Sequence, residues 1–164
     1  MTPPADYVIG PEDVLAVLVW REQDLSAEVA VRPDGKITLP LLNDVEAAGL
    51  TPDALRERVQ QLASRFVETP NVTVVVKQIN SRKVFVTGKV AKPGTYALMG
   101  PTTVLQMIAM AGGLMDFAKS DRIVVMRTQG GQTQTFKFNY KDVAKSKNLQ
   151  QNILLRPGDT ILVP

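Results

Sequence analysis

The spacing of apolar positions changes character along the first eighty residues, from strand-like to helical and back to strand-like. Asp13 to Trp20 is rich in β-forming side chains and predicts a strand. Val29 to Leu39 predicts a hairpin that turns at Pro33, Asp34 and Gly35, where an Asp-Gly pair favours a tight reversal. Thr51-Pro52 marks a helix start: threonine caps, proline suits the first helical position and Asp53 faces the positive end of the dipole. Leu55, Val59, Leu62, Ala63 and Phe66 then fall on one helical face, which is expected to cover a sheet. The helix is expected to give out before Thr69-Pro70, because the residue before a proline is pushed towards extended backbone. A strand from Asn71 to Ile79 follows, with Val72, Val74 and Val76 on its apolar face.

The second half repeats the order strand, turn, strand, helix, strand. Lys83 to Val90 predicts a strand, Lys92-Pro93-Gly94 a turn, and Tyr96 to Leu98 a short strand. In that turn Pro93-Gly94 suits the two central positions of type II geometry, since only glycine takes positive φ cheaply. From about Thr103 a helix runs through residues that are apolar nearly all round, Val104 to Ala111, so more than one side is expected to be buried, and Gly112 is placed to end it. Ile123 to Arg127 and Gln134 to Phe138 predict a hairpin across Gly130-Gly131, with a short helix near Lys141 to Ala144. The closing Pro157-Gly158-Asp159 echoes the opening Gly10-Pro11-Glu12-Asp13, each leading into an apolar strand. At position 12 a non-glycine residue favours a type I turn, because it resists positive φ. The fold class is therefore α+β: two small domains, residues 6–80 and 81–164, each a mixed sheet packed on one main helix.

Composition narrows the chemistry. The chain has 164 residues, neither cysteine nor histidine, and only 5% aromatics against 45% apolar residues, so its cores are aliphatic and imidazole and thiolate chemistry is excluded. The net charge of +3 conceals a split: residues 1–80 hold seven Lys and Arg against twelve Asp and Glu, whereas residues 81–164 hold twelve against four. The apolar run Val14 to Trp20 is far shorter than the roughly 20 residues of a membrane-crossing helix. Met1-Thr2-Pro3-Pro4 carries no basic region leading into an apolar core, so no signal peptide is read there.

No nucleophile with a base, metal-ligand set or phosphate loop stands out, and neither catalytic, metal nor cofactor residues are assigned. Asp13 and Asp159 each follow a proline turn, where aspartate characteristically accepts backbone hydrogen bonds, and this outweighs a catalytic carboxylate pair. Arg82, Lys83, Lys89, Lys92 and Arg127 are the candidate contacts to an anionic glycan or to a neighbouring subunit, against the simpler role of a solvated face. Lys119 and Arg122 add to the same basic half. Phe136 and Phe138 share one strand face and are read as core, in preference to a stacking platform with Tyr96 and Tyr140.

Four segments in order, Tyr7 to Leu15, Arg32 to Pro40, Ala48 to Thr51 and Pro70 to Val74, resemble the outer-membrane polysaccharide export family of the Wza type. Gly88 to Tyr96, Ala111-Gly112-Gly113 and Pro157-Gly158-Asp159 are similar to the soluble-ligand-binding β-grasp (SLBB) domain that follows the export domain in that family. Gly10, Pro11, Asp34, Gly35, Pro93, Gly94, Pro157 and Gly158 enter this likeness as turn formers. The resemblance implies a non-enzymatic, cofactor-free periplasmic body of an exporter, associated with the outer membrane. It implies a homo-oligomeric ring that conducts polysaccharide, an inner-membrane polysaccharide co-polymerase as partner, and no nucleic acid. The acidic half of one subunit would meet the basic half of the next. Family members often carry a lipidated cysteine and an amphipathic membrane helix. Neither is read here, so processing or a separate outer-membrane pore protein is expected to complete the route. The alternative is a monomeric periplasmic glycan- or ligand-binding module without a pore.

Overall fold

A computed structural model describes residues 2–164, so Met1, the first residue of the opening segment, lies outside the described residues. The chain divides into two compact units, one ending at Ser81 and one beginning at Arg82. The first contains β1 (Val14–Val19), β2 (Ala27–Ala30), β3 (Lys36–Leu39), β4 (Asn43–Glu46), α1 (Pro52–Ala63) and β5 (Val72–Gln78). Its main sheet is antiparallel in the order β2-β1-β5, and β3 and β4 form a separate two-stranded ribbon. Leu15, Val17 and Val19 point from β1 into the core, where they meet Leu55 and Val59 of α1 and Val72 and Val76 of β5. Full burial of each such side chain contributes about 1.5 to 3 kcal/mol, so a mainly aliphatic sheet-on-helix core suffices with Tyr7 as its buried aromatic.

The start of α1 follows the sequence signal: the Thr51 side chain accepts a hydrogen bond from the Ala54 N–H, and Pro52 opens the helix. Its end does not. The helix stops at Ala63, where the Arg65 N–H turns back to the Leu62 carbonyl, and Phe66 is left 54% exposed while Val67 packs on the core. Thr69 adopts φ of 44° instead of extended backbone. The hairpin expected over Val29 to Leu39 also resolves differently. Asp34 and Gly35 do form the turn, closed by the Gly35 N–H on the Arg32 carbonyl, but β2 pairs with β1 while β3 pairs with β4. The reversal from β3 to β4 uses Leu41 and Asn43 at positive φ, and a leucine there gives no turn signal in sequence.

The second unit contains β6 (Lys83–Gly88), β7 (Gly94–Ala97), α2 (Val104–Met110), β8 (Ile123–Gln129), β9 (Gln132–Phe138), α3 (Tyr140–Ala144) and β10 (Thr160–Val163). They form a five-stranded mixed sheet in the order β7-β6-β10-β8-β9, with β6 and β10 parallel and the other pairs antiparallel. Gly130 and Gly131, both at positive φ, make the two-residue turn between β8 and β9. A capping box of Thr103 and Gln106 starts α2, and Gly112, at φ of 87°, follows its end. Val104, Met107 and Ile108 are buried, but Met110 is half exposed, so α2 covers the sheet with one flank rather than being enclosed. The expected type II turn is also absent: Gly94 has φ of 157°, far from the roughly +80° of that turn, and already pairs with Val86 as the first residue of β7.

Gly88 meets the tightest constraint in this unit. Its φ is 97°, and a Cβ there would lie 2.0 Å from the Val163 carbonyl oxygen on neighbouring β10. Gly88→Ala is therefore expected to lower stability by about 2 to 4 kcal/mol in urea unfolding, whereas Gly100→Ala, with open space around it, should stay within about 0.5 kcal/mol. Equal midpoints for the two variants would contradict the packing described.

Candidate functional site

Among the described residues, Asp13 and Asp159 are the charged side chains that are fully buried. Each closes a proline turn by the same device. The Asp13 N–H donates to the Gly10 carbonyl, and its carboxylate accepts the Gly10 N–H at 3.0 Å; the Asp159 N–H donates to the Arg156 carbonyl, and its carboxylate accepts the Arg156 N–H at 2.8 Å. Positive φ occurs at the third position of both turns, 74° at Glu12 and 91° at Gly158. The type I geometry expected after Pro11 is thus not adopted. A glutamate holds the left-handed backbone that glycine holds after Pro157, at a cost of about 1 to 2 kcal/mol.

The two carboxylates differ in how their remaining valences are filled. Asp13 accepts the Tyr7 hydroxyl at 2.5 Å, the Asn80 N–H at 2.7 Å, and both the N–H and hydroxyl of Ser81 at 2.8 and 2.9 Å. It therefore ties the last residues of the first unit to its opening turn. Gly10 makes this approach possible, since a Cβ there would lie 2.6 Å from the Ser81 Cβ. Asp159 is gripped by both ends of the Arg127 guanidinium, Nε at 2.9 Å and Nη2 at 2.8 Å, and Nη2 also donates to the Leu154 carbonyl. The Arg127 guanidinium stacks 4.9 Å from the Phe136 ring centroid, and the hydrogen bonds it donates to Asp159 raise its pKa above the ordinary value. With their lone pairs occupied by structural donors, both aspartates serve the backbone.

The five basic candidates do not form one cluster. Arg82 and Lys83 lie at the head of β6, whereas Lys89 and Lys92 are exposed beyond its other end, with a six-residue strand of about 20 Å between the two pairs. Arg127 is turned inward to Asp159. In the first unit, Asp34 accepts the Lys36 N–H at 3.2 Å and pairs with Arg32 on the surface; Arg32 also holds the Asp44 carboxyl below its ordinary pKa, chiefly through a hydrogen bond. No group of three or more acidic side chains that could hold a metal ion occurs among the described residues.

Sequence spacing gave no sign of a groove of about 490 Å³ in the second unit, lined by Leu114, Met115, Phe117, Tyr140, Lys141 and Lys145 among others. Phe117 stands 92% exposed at its rim with φ of 65°. A left-handed phenylalanine costs about 1 to 2 kcal/mol, and nothing in the residue type announces it. A second groove of about 460 Å³ lies in the first unit, between Pro3, Pro4, Thr51, Pro52 and β5.

The family model for polysaccharide biosynthesis/export proteins matches residues 1–77, and that for the SLBB domain matches residues 83–137. The chain belongs to the polysaccharide export family. Its export domain is followed by an SLBB domain, and the family is one of export proteins, not enzymes. Among curated relatives, it is 27% identical over 186 residues to the EPS I polysaccharide export outer membrane protein EpsA of Ralstonia nicotianae, covering 96% of this chain and 47% of that protein. It is 28% identical over 160 residues to the polysialic acid transport protein KpsD of Escherichia coli, covering 96% of the chain and 28% of that protein. With the capsule polysaccharide export protein BexD of Haemophilus influenzae it shares 30% identity over 135 residues, covering 80% of the chain and 32% of that protein. The chain thus spans less than half the length of these relatives. No helix among the described residues is long and apolar enough to cross a membrane.

Arg127 is a structural residue, and its removal has a defined consequence. Arg127→Met strands Asp159 in the core and is expected to cost about 3 to 5 kcal/mol in urea unfolding, with much of the loss recovered in Arg127→Met/Asp159→Asn. An unchanged midpoint for the single variant would show that the buried pair does not hold the turn.

Proposed function

We propose that this chain is the periplasmic body of a capsule or exopolysaccharide exporter, in which copies assemble into a ring and form a conduit between inner-membrane machinery and the outer membrane. The observation that carries this reading is the order of the two domains in one chain, export domain first and SLBB domain second, together with relatives named for polysaccharide export and transport. The charge split supports the assembly: an acidic export domain can meet the basic SLBB domain of the next copy in a head-to-tail contact, which closes into a ring when the rotation is right. Passage through such a body needs no bond to be made or broken. The polymer-facing surface would bind weakly and repeatedly, so that no single step traps the chain.

The partners in this reading are the polysaccharide, further copies of the chain and an inner-membrane co-polymerase, with an outer-membrane pore supplied either by the rest of the protein or by a separate one. Lys89 and Lys92, both exposed, remain candidate contacts to glycan or to a neighbouring copy, as do Arg82 and Lys83; Arg127 serves the core. Deleting the gene in its native host should abolish surface polysaccharide, with polymer retained inside the cell, and expression of the full-length protein should restore it. Undiminished surface polymer in the deletion strain, measured by glycan-specific staining and compositional analysis, would overturn the reading in favour of a monomeric binding module.

A further inference from the structure

The groove between residues 114–120 and α3 has the chemistry of a sugar site. Its apolar lining comes from Leu114, Met115 and Tyr140, and Phe117 on the same lining is an exposed ring. The segment that carries Phe117 is fastened on both sides: the Met115 N–H donates to the Lys89 carbonyl at 3.0 Å, the Lys119 N–H to the Pro164 carbonyl at 2.8 Å, and the Tyr140 N–H to the Ser120 carbonyl at 2.8 Å. Phe117 is therefore held outward by a fixed frame rather than by a loose tip.

Lys141 of α3 and Lys145, which caps its end, also line the groove four residues apart, a spacing at which like charges repel and an anion between them would relieve the repulsion. Neither has an ion-pair partner among the described residues; the nearby Asp142 carboxylate is engaged by the Asn148 amide at 3.3 Å. An aromatic face with a pair of free ammonium groups matches a pyranose that presents axial C–H bonds on one side and a carboxylate on its edge. Asp116, also on the lining, supplies an acceptor for hydroxyls. The volume lies within the range of small-ligand sites.

We infer that this groove binds a carboxylate-bearing sugar unit of an anionic glycan, stacked on Phe117 and neutralised by Lys141 and Lys145. The inference rests on the export reading for its source of glycan, and makes acidic polysaccharide the cargo class. The test is NMR titration of the labelled chain with hexagalacturonate and, separately, maltohexaose. Hexagalacturonate should shift amides of residues 114–120 and 140–145 and bind at least about tenfold more tightly than maltohexaose; Phe117→Ala and Lys141→Glu/Lys145→Glu, each with a native-like spectrum, should weaken it about tenfold or more. Equal binding of the neutral sugar, shifts centred elsewhere, indifference to both variants, or concentration-dependent shifts of the groove without sugar, which would reveal self-association, each overturns it. If hexagalacturonate leaves the groove untouched while the deletion strain still loses its surface polymer, the groove assignment falls and the export reading stands.

Discussion

A buried carboxylate that accepts the N–H three residues behind it holds each domain of this chain at a proline turn. In the export domain Asp13 gathers Tyr7, Gly10, Asn80 and Ser81, so the beginning and end of the unit are joined through one side chain. In the SLBB domain Asp159 fixes the turn that feeds β10, the strand at the centre of the five-stranded sheet, and draws Arg127 of β8 onto it. Hydrogen bonds to a charged group contribute about 1.5 to 3 kcal/mol each, and a buried carboxylate left without them is strongly penalised. Small aliphatic cores of this kind bury limited area, so such polar ties fix register where packing alone is permissive.

Much of this architecture was legible because it depends on local chemistry. Thr51-Pro52, the helix start near Thr103 and the Gly130-Gly131 hairpin are short-range signals with one favoured outcome, and the repeated proline-aspartate turns could be seen from residue order alone. The misreadings fall where backbone conformation defies residue type. Glu12, Leu41 and Thr69 all take positive φ without being glycine, and the pairing of β3 with β4 instead of β2 is decided by tertiary competition for strand edges. Phe66 continued a helical pattern that the backbone did not follow.

The candidate site was less legible for a related reason. Charge counts group Arg127 with Lys89 and Lys92, but folding separates them: a guanidinium with a planar fork suits a buried carboxylate, whereas the exposed lysines keep their hydration. Conversely, the groove beside Phe117 brings Leu114 and Tyr140 together from segments distant in sequence, and its most telling feature is an aromatic ring that the fold declines to bury. By residue type Tyr140 groups with Tyr96, Phe136 and Phe138 as one aromatic set. The structure divides that set, with Phe138 in the core, Phe136 under Arg127 and Tyr140 at the groove.

On the proposed export reading the chain acts through shape and repetition rather than reactive groups, so the property to measure is the assembly. Single-particle cryo-electron microscopy of the full-length protein, extracted from its native membrane, addresses that property directly. Rotationally symmetric particles that surround a continuous axial passage are the result expected of a ring-forming conduit. Particles consisting of single copies, or of rings whose centre is closed, would contradict it.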